Sequence, residues 1–165
     1  MNPEHIHLLI NHIPIHGLVV STLFLLVALL FRNRLFTGIA IAFVTVSALS
    51  IPFVMATGEK AYERYDSDPQ LKTLIGDAGL EMAKTHYKHA ETGAKATYLL
   101  LVAGIVGLGI WKFRPDWLTK TGWVLLLLSV ICLVLNAWIA SSGGKIRRPD
   151  FRSGTPVAAV VDDED

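Results

Sequence analysis

Long apolar runs without any charged side chain alternate with short charged segments along this chain. Four stretches lack Asp, Glu, Lys and Arg altogether: residues 13–31, 35–57, 96–111 and 121–144. A helix rises about 1.5 Å per residue and needs about 20 residues to cross the hydrocarbon core of a bilayer. Each stretch is close to that length. The pattern therefore predicts four transmembrane helices, at about residues 13–31, 35–56, 94–113 and 120–141.

The segments between the apolar runs differ in length. Residues 32–34 and 112–120 form short turns, which place consecutive helices side by side and antiparallel. Residues 58–95 carry charges of both signs and predict a long, partly helical linker between helices two and three. Asp68 and Pro69 favour a helix start within this linker. From Gly76 and Asp77 onward, good helix formers predict a helix that continues into the third span.

These elements predict an all-α protein, a four-helix transmembrane bundle formed as a single domain by residues 1–155. Residues 156–165 form an acidic tail that is predicted to be disordered. No internal repeat is visible along the chain. With four spans, the N-terminus, the linker and the tail share one face of the membrane.

The charges around the first helix predict the orientation. No Lys or Arg precedes it, and Arg32 and Arg34 follow it, which places both termini and the linker outside the cytoplasm. The linker and tail carry ten basic residues against five in the short turns, but the linker's are interleaved with seven acidic ones. We therefore give more weight to the first helix and expect a multi-pass membrane protein whose linker and both termini are extracytoplasmic.

Composition narrows the function classes. The chain is 52% hydrophobic and 18% charged, with a mean hydropathy of +0.47, which argues against a soluble enzyme. A net charge of +1 gives no basic excess for nucleic acid. Cys132 is the only cysteine, so the chain has no CxxC motif for a zinc knuckle or for covalently attached haem. Whether the chain is an enzyme is left open.

The histidines carry the candidate chemistry, because all of them lie at the start of helix one or helix three. They are His5, His7, His12, His16, His86 and His89. Helices one and three begin at the same membrane face and lie on a diagonal of an up-down-up-down bundle. His12 and His16 are four residues apart, and His86 and His89 are three apart, so each pair shares one helical face. The two pairs are therefore expected to face each other.

Imidazoles from opposed helices are what noncovalent haem b requires of its axial ligands. One or two haems held by His12, His16, His86 and His89 fit this pattern. A copper or zinc ion bound directly by these four side chains is the alternative, since imidazole suits both metals. A third interpretation is a structural subunit of a larger membrane complex, in which the histidines are incidental interfacial residues. A di-iron carboxylate site is disfavoured, because Glu4 and His7 form the chain's single Glu-x-x-His unit.

Several motifs resemble a family of uncharacterised bacterial membrane proteins, a domain of unknown function with four predicted transmembrane helices. The resemblance lies in His7 and His12 followed by Pro14, in Thr57-Gly58, in the stretch from His86 to His89, and in Gly143-Gly144. Leu8 stands where the family commonly has Pro, and Ser141 where it has His. The resemblance implies haem binding or electron transfer, and it adds His7 to the candidate ligands.

Taken together, the sequence predicts a small integral membrane b-type cytochrome that binds haem between helices one and three. It would transfer electrons at the extracytoplasmic face, and the resemblance implies that the membrane is a bacterial cytoplasmic (inner) membrane. Its expected partners are the lipid bilayer and a redox protein or a larger respiratory-type complex, with no nucleic acid. Homo-oligomer formation is left open.

The predicted orientation can be tested by labelling a single cysteine. Ser67→Cys in a Cys132→Ser background should react with a membrane-impermeant thiol reagent in intact spheroplasts, because the linker is expected on the outer face. Labelling only after the cytoplasmic side is opened would reverse the topology.

Overall fold

The computed structural model describes residues 2–146 and 148, and every regular element in this part of the chain is helical. The helices are α1 (Pro3–Ile10), α2 (Ile13–Leu30), α3 (Arg34–Leu49), α4 (Ile51–Ser67), α5 (Pro69–Phe113) and α6 (Leu118–Gly144). A single 3₁₀ turn, Pro115–Trp117, joins α5 to α6. The predicted acidic tail, residues 156–165, lies outside the described residues, as does the predicted domain end at residue 155.

Two prolines divide the first and second spans. Pro14 lies in the first turn of α2 and Pro52 in the first turn of α4. A proline has no N–H to donate to the preceding turn, so it is tolerated at a helix start and interrupts a continuous helix. The first span is therefore α1 followed by α2, and the second is α3 followed by α4. The break before α2 separates His7 from His12 and His16.

The segment predicted as a long, partly helical linker between helices two and three is helical almost throughout. The second span continues as α4 to Ser67, and α5 begins at Pro69 and runs for 45 residues to Phe113. Only Asp68 separates them, and its side chain caps α5 by accepting hydrogen bonds from the backbone N–H groups of Gln70 (2.9 Å) and Leu71 (3.4 Å). The predicted helix start at Asp68 and the helix leading into the third span are confirmed. Charged residues indicated exposure here, but Glu and Lys also favour helix.

Gly76 is the one bend in α5. Its backbone has φ 64° and ψ 173°, a conformation that residues with a Cβ rarely adopt. At about 1.5 Å per residue, a helix of this length is roughly twice as long as the hydrocarbon core is thick. Part of α5, and the charged second half of α4 beside it, therefore extend the bundle beyond the length of a membrane span.

The four spans form an antiparallel bundle. The first span packs against the second and fourth through α2, and the third packs against the same two through α5. α1 packs against α4, and α4 against α5, at the end where the N-terminus lies. The first and third spans thus lie on a diagonal, as the short turns predicted.

The bundle is apolar on its outer surface as well as in its core, as expected for a membrane protein. Its four long apolar helices all meet the length and hydropathy of membrane spans. Many large apolar side chains face outward, among them Val20, Leu23, Val46, Leu127 and Val134. Small polar side chains are buried between the helices instead, including Ser21, Thr45, Thr97 and Ser129. Ser and Thr in membrane helices satisfy their hydroxyls on their own helix, and Thr45 does so on Ile41 O at 2.8 Å.

Glycines allow the helices to approach closely. A Cβ added at Gly104 of α5 would overlap Oγ1 of Thr45, which the hydrogen bond to Ile41 O holds in place. A Cβ added at Gly109, one and a half turns further along the same helix, would meet no atom within 4 Å. The two glycines therefore form a matched pair for testing the packing of α5 against α3.

Gly104→Ala should destabilise the bundle by about 1–3 kcal/mol, because α5 and α3 must move apart to accept the methyl group. Gly109→Ala should leave stability unchanged or raise it by up to about 1 kcal/mol, since alanine favours helix over glycine. Thermal unfolding in detergent measures both. Equal effects at the two positions would contradict this packing.

Candidate functional site

A cavity of about 350 Å³ opens at the end of the bundle that carries the N-terminus. Its wall comes from α1, α4, α5 and α6 together with the start of α2. Small and apolar residues make up most of it, including Ile51, Val54, Met55, Gly58, Ala61, Ala83, Ala90, Ala94, Ile139, Ala140, Gly143 and Gly144. The polar wall residues are Glu4, His7, Asn11, His12, Glu59, Tyr62, Tyr65, His86, Tyr87 and Asn136. Ligand sites are mostly apolar with a few placed polar groups and typically measure about 300–1,000 Å³.

His7 of α1 contacts the second span across the cavity wall. Its Nδ1 lies 3.2 Å from the carbonyl oxygen of Val54 and 3.3 Å from Oγ1 of Thr57. A Cβ added at Gly58 would come within 2.9 Å of the ring carbon Cε1. The ring therefore occupies space that only a glycine at this position leaves open.

His86 of α5 has the same set of contacts with the fourth span. Its Nδ1 lies 3.1 Å from the carbonyl oxygen of Ile139 and 3.0 Å from Oγ of Ser142. A Cβ added at Gly143 would come within 3.0 Å of Cε1 of the ring. In both sites the neighbouring helix supplies a carbonyl at one position, a hydroxyl three residues later and a glycine four residues later.

The equivalence of these two sites is an internal repeat that sequence reasoning missed. Helices one and two form one half of the repeat, and helices three and four form the other. The signal in the sequence is short, a histidine in one helix and a hydroxyl-glycine pair in the next, Thr57-Gly58 and Ser142-Gly143. The two rings line one cavity and are close enough to interact electrostatically.

The hydrogen bonds fix which ring nitrogen of each histidine carries the proton. A backbone carbonyl can only accept, so Nδ1 must be the N–H donor. The hydroxyls of Thr57 and Ser142 donate to carbonyls of their own helices, at 3.0 Å to Val54 O and 2.7 Å to Ile139 O. Their oxygens are then acceptors as well. Nε2 of each neutral ring keeps its lone pair, the arrangement seen in histidines that bind metals.

The structure brings three of the five predicted ligands to the cavity and places two elsewhere. His7, His86 and His12 line it, and His12 is otherwise exposed. His16 is exposed, and its Nδ1 lies 2.9 Å from the carbonyl oxygen of His12. His89 stacks against Trp138 with ring centroids 4.1 Å apart. Within the described ranges, neither His16 nor His89 belongs to the cavity wall.

The two predicted histidine pairs therefore do not face each other across the bundle. Instead, His7 contacts the second span and His86 contacts the fourth. Within residues 2–146 and 148, no three His, Cys, Asp or Glu side chains converge as a group that could hold a metal ion.

Polar and aromatic contacts join the helices that form the cavity wall. Glu4 of α1 accepts two hydrogen bonds of 3.1 Å from Nη1 of Arg64 on α4, and the Glu4 side chain is only 11% exposed. Tyr62 and Tyr87 stack with centroids 5.3 Å apart and ring planes 14° apart. These contacts join α1 to α4 and α4 to α5, so they hold the cavity walls in place.

Asn136 forms the inner end of the cavity. Its Nδ2 donates to Cys132 O at 2.8 Å and to Oγ1 of Thr97 at 3.3 Å. The second bond crosses from α6 to α5. A buried amide that is satisfied on both sides fixes the spacing of these helices below the two histidines.

Comparison of the chain with protein-family models finds no match, and neither the comparison with curated proteins nor the one with solved structures finds any. The four long apolar helices fit a four-helix membrane protein. The site is therefore interpreted from its own geometry.

The ring contacts predict an unusual tautomer in the protein without cofactor. His7 and His86 should each be protonated at Nδ1 and unprotonated at Nε2 near neutral pH, because a carbonyl accepts from Nδ1. The ¹⁵N chemical shifts of labelled histidines report both ring nitrogens. Exposed His5 is the control, and we expect it to show averaged shifts. Averaged shifts at His7 and His86 would contradict the hydrogen bonds.

Proposed function

We propose that this chain is a small transmembrane b-type cytochrome that holds one haem b in the cavity, with His7 and His86 as its axial ligands. The observation that carries the proposal is the equivalence of the two histidines. Each comes from one of the diagonal spans, each is oriented through Nδ1 by the next span, and both line one mostly apolar cavity. Two opposed imidazoles and an apolar slot are what noncovalent haem b requires.

The residues present fit the group in three respects. The donor set is two neutral imidazoles whose Nε2 lone pairs are available. The cavity wall includes small residues that leave room for a flat ring, namely Ala61, Ala83, Ala90, Ala94 and Ala140. The volume lies within the range of about 300–1,000 Å³ that is usual for ligand sites. The presence of one such pair favours one haem over two.

This assignment refines the ligands predicted from the sequence. His12 becomes a wall residue of the same cavity, and His16 and His89 serve other roles. A copper or zinc ion held directly by His12, His16, His86 and His89 is not favoured by any contact in the described residues, because a structural zinc site needs four ligands around one ion.

The chain's own residues would orient the ligands and exclude water. Val54 and Ile139 hold the two rings through their carbonyls, so neither imidazole has to be reoriented when the iron binds. The Glu4–Arg64 pair and the stacked Tyr62 and Tyr87 hold the wall helices together. When bound, haem supplies a one-electron couple whose potential depends on its axial ligands and on the burial around it. We propose that electrons pass to a redox partner at the extracytoplasmic end.

Substitution of the two ligands tests the proposal. His7→Ala and His86→Ala should each abolish the six-coordinate, low-spin absorption spectrum of the haem-loaded protein, because one imidazole nitrogen is lost. Added imidazole should restore it in part. His16→Ala and His89→Ala are the matched controls, since each removes a histidine from the same span as one ligand but outside the cavity wall. Both should retain the wild-type spectrum.

Two results would contradict this assignment. A wild-type spectrum in His7→Ala and His86→Ala, measured on protein that is folded by circular dichroism, would remove these residues from the site. Loss of the spectrum in His16→Ala and His89→Ala instead would return the ligands to the positions expected from sequence spacing.

A further inference from the structure

A second, smaller cavity lies at the opposite end of the bundle, between the two short turns. Its volume is about 70 Å³. Its polar wall consists of Arg32 and Arg34 from the first turn, Thr37 of α3 and Thr119 of α6. A single water molecule needs only about 10–15 Å³ of cavity volume, so this cavity accommodates a group several times that size.

Arg32 adopts a backbone conformation that usually requires glycine. Its φ is 51°, and it is the only residue other than glycine with a positive φ in the described part of the chain. It follows the end of α2, where its N–H donates to Leu29 O (3.1 Å) and the N–H of Asn33 donates to Ala28 O (3.1 Å). These two bonds form the helix ending in which glycine is strongly preferred at the position of Arg32.

The backbone of an arginine in this conformation is strained, and we therefore expect a contact of its side chain that offsets the strain. Strained residues concentrate at functional sites, and an observed outlier is a sound starting point for a functional hypothesis. Glycine would form the same helix ending at lower cost. Arg32 lines the cavity, so the chain has a cationic residue at this position although glycine would suit the backbone better.

Arg34 brings a second cation to the same cavity. Its Nη2 donates to the carbonyl oxygen of Trp111 at 3.2 Å, which anchors the side chain between the two turns. Guanidinium carries five N–H donors, so one such bond leaves others for a ligand. Across the described ranges, no carboxylate forms an ion pair with Arg32 or Arg34.

From this geometry we infer that the cavity binds a phosphate group. Two guanidinium groups supply forked donors that match phosphate oxygens, and the hydroxyl of Thr119 can donate to the same ligand. The hydroxyl of Thr37 donates to the carbonyl oxygen of Asn33 at 2.8 Å, so Thr37 shapes the wall without donating to the ligand. The turns around it carry five basic residues and one acidic residue, Asp116, which makes this end of the bundle attractive to anions. The phosphate can belong to a phospholipid headgroup or be free in solution.

The test compares variants of the full chain in detergent, with dioleoyl phosphatidylglycerol or inorganic phosphate as the probe. Both probes raise Tm if they bind the folded protein in preference to the unfolded one. Arg32→Gly should retain or raise Tm without a probe, because the left-handed conformation is relieved, yet bind about tenfold more weakly. Arg114→Gln is the control, since it removes one positive charge from the same face outside the cavity.

The outcomes separate the source of the phosphate from the site itself. A rise in Tm with phosphatidylglycerol alone identifies the lipid headgroup, and an equal rise with inorganic phosphate identifies the free ion. Either one supports the site if Arg32→Gly loses the rise and Arg114→Gln keeps it. Equal losses in the two variants, or no rise in the wild-type protein, would overturn the proposal. So would a clear fall in the Tm of Arg32→Gly without any probe, because Arg32 would then be structural.

Discussion

The arrangement of the cavity depends on two hydrogen bonds, one from the imidazole of His7 to a backbone carbonyl of α4 and one from that of His86 to a backbone carbonyl of α6. The imidazole of His7 shares the carbonyl oxygen of Val54 with the hydroxyl of Thr57, and that of His86 shares the carbonyl oxygen of Ile139 with the hydroxyl of Ser142. A Cβ four residues after each carbonyl would crowd the imidazole ring. Gly58 and Gly143 stand at those positions, so the glycine and the histidine contact are parts of one structural device.

The same device orients helices as well as rings. Polar groups within a membrane must be satisfied by the protein itself, because lipid offers no partner. His7 satisfies its Nδ1 only if α1 lies against α4, and His86 only if α5 lies against α6. With Glu4 bound to Arg64 and Asn136 bound to Thr97, the packing is fixed above and below the rings. In His7 and His86, Nδ1 makes the contacts that hold the helices together, and we assign the Nε2 atoms to a ligand.

The sequence predicts the fold well where it depends on hydropathy and capping. Four charge-free stretches gave the spans, and Asp68 followed by Pro69 gave the start of α5. The linker was wrong because charge indicates exposure and does not distinguish a loop from a helix that leaves the membrane. The candidate histidines included three that line the cavity, His7, His12 and His86, but their spacing did not predict that His16 and His89 lie outside its wall. His12 and His16 are one helical turn apart, but α1, which carries His7, ends at Ile10, just before Pro14 in the first turn of α2. Spacing alone also cannot show which neighbouring helix a ring contacts. The internal repeat was hidden because each half keeps only a histidine, a hydroxyl and a glycine.

The central claim is that one cavity with two equivalent histidines holds one haem b. The most direct measurement is the haem and metal content of the protein purified from membranes without added ions, by pyridine haemochrome assay and elemental analysis of the same sample. The account predicts haem b and iron, each at about one per chain. Copper or zinc at about one per chain without a haemochrome signal, or a fully folded protein with neither haem nor metal, would contradict it.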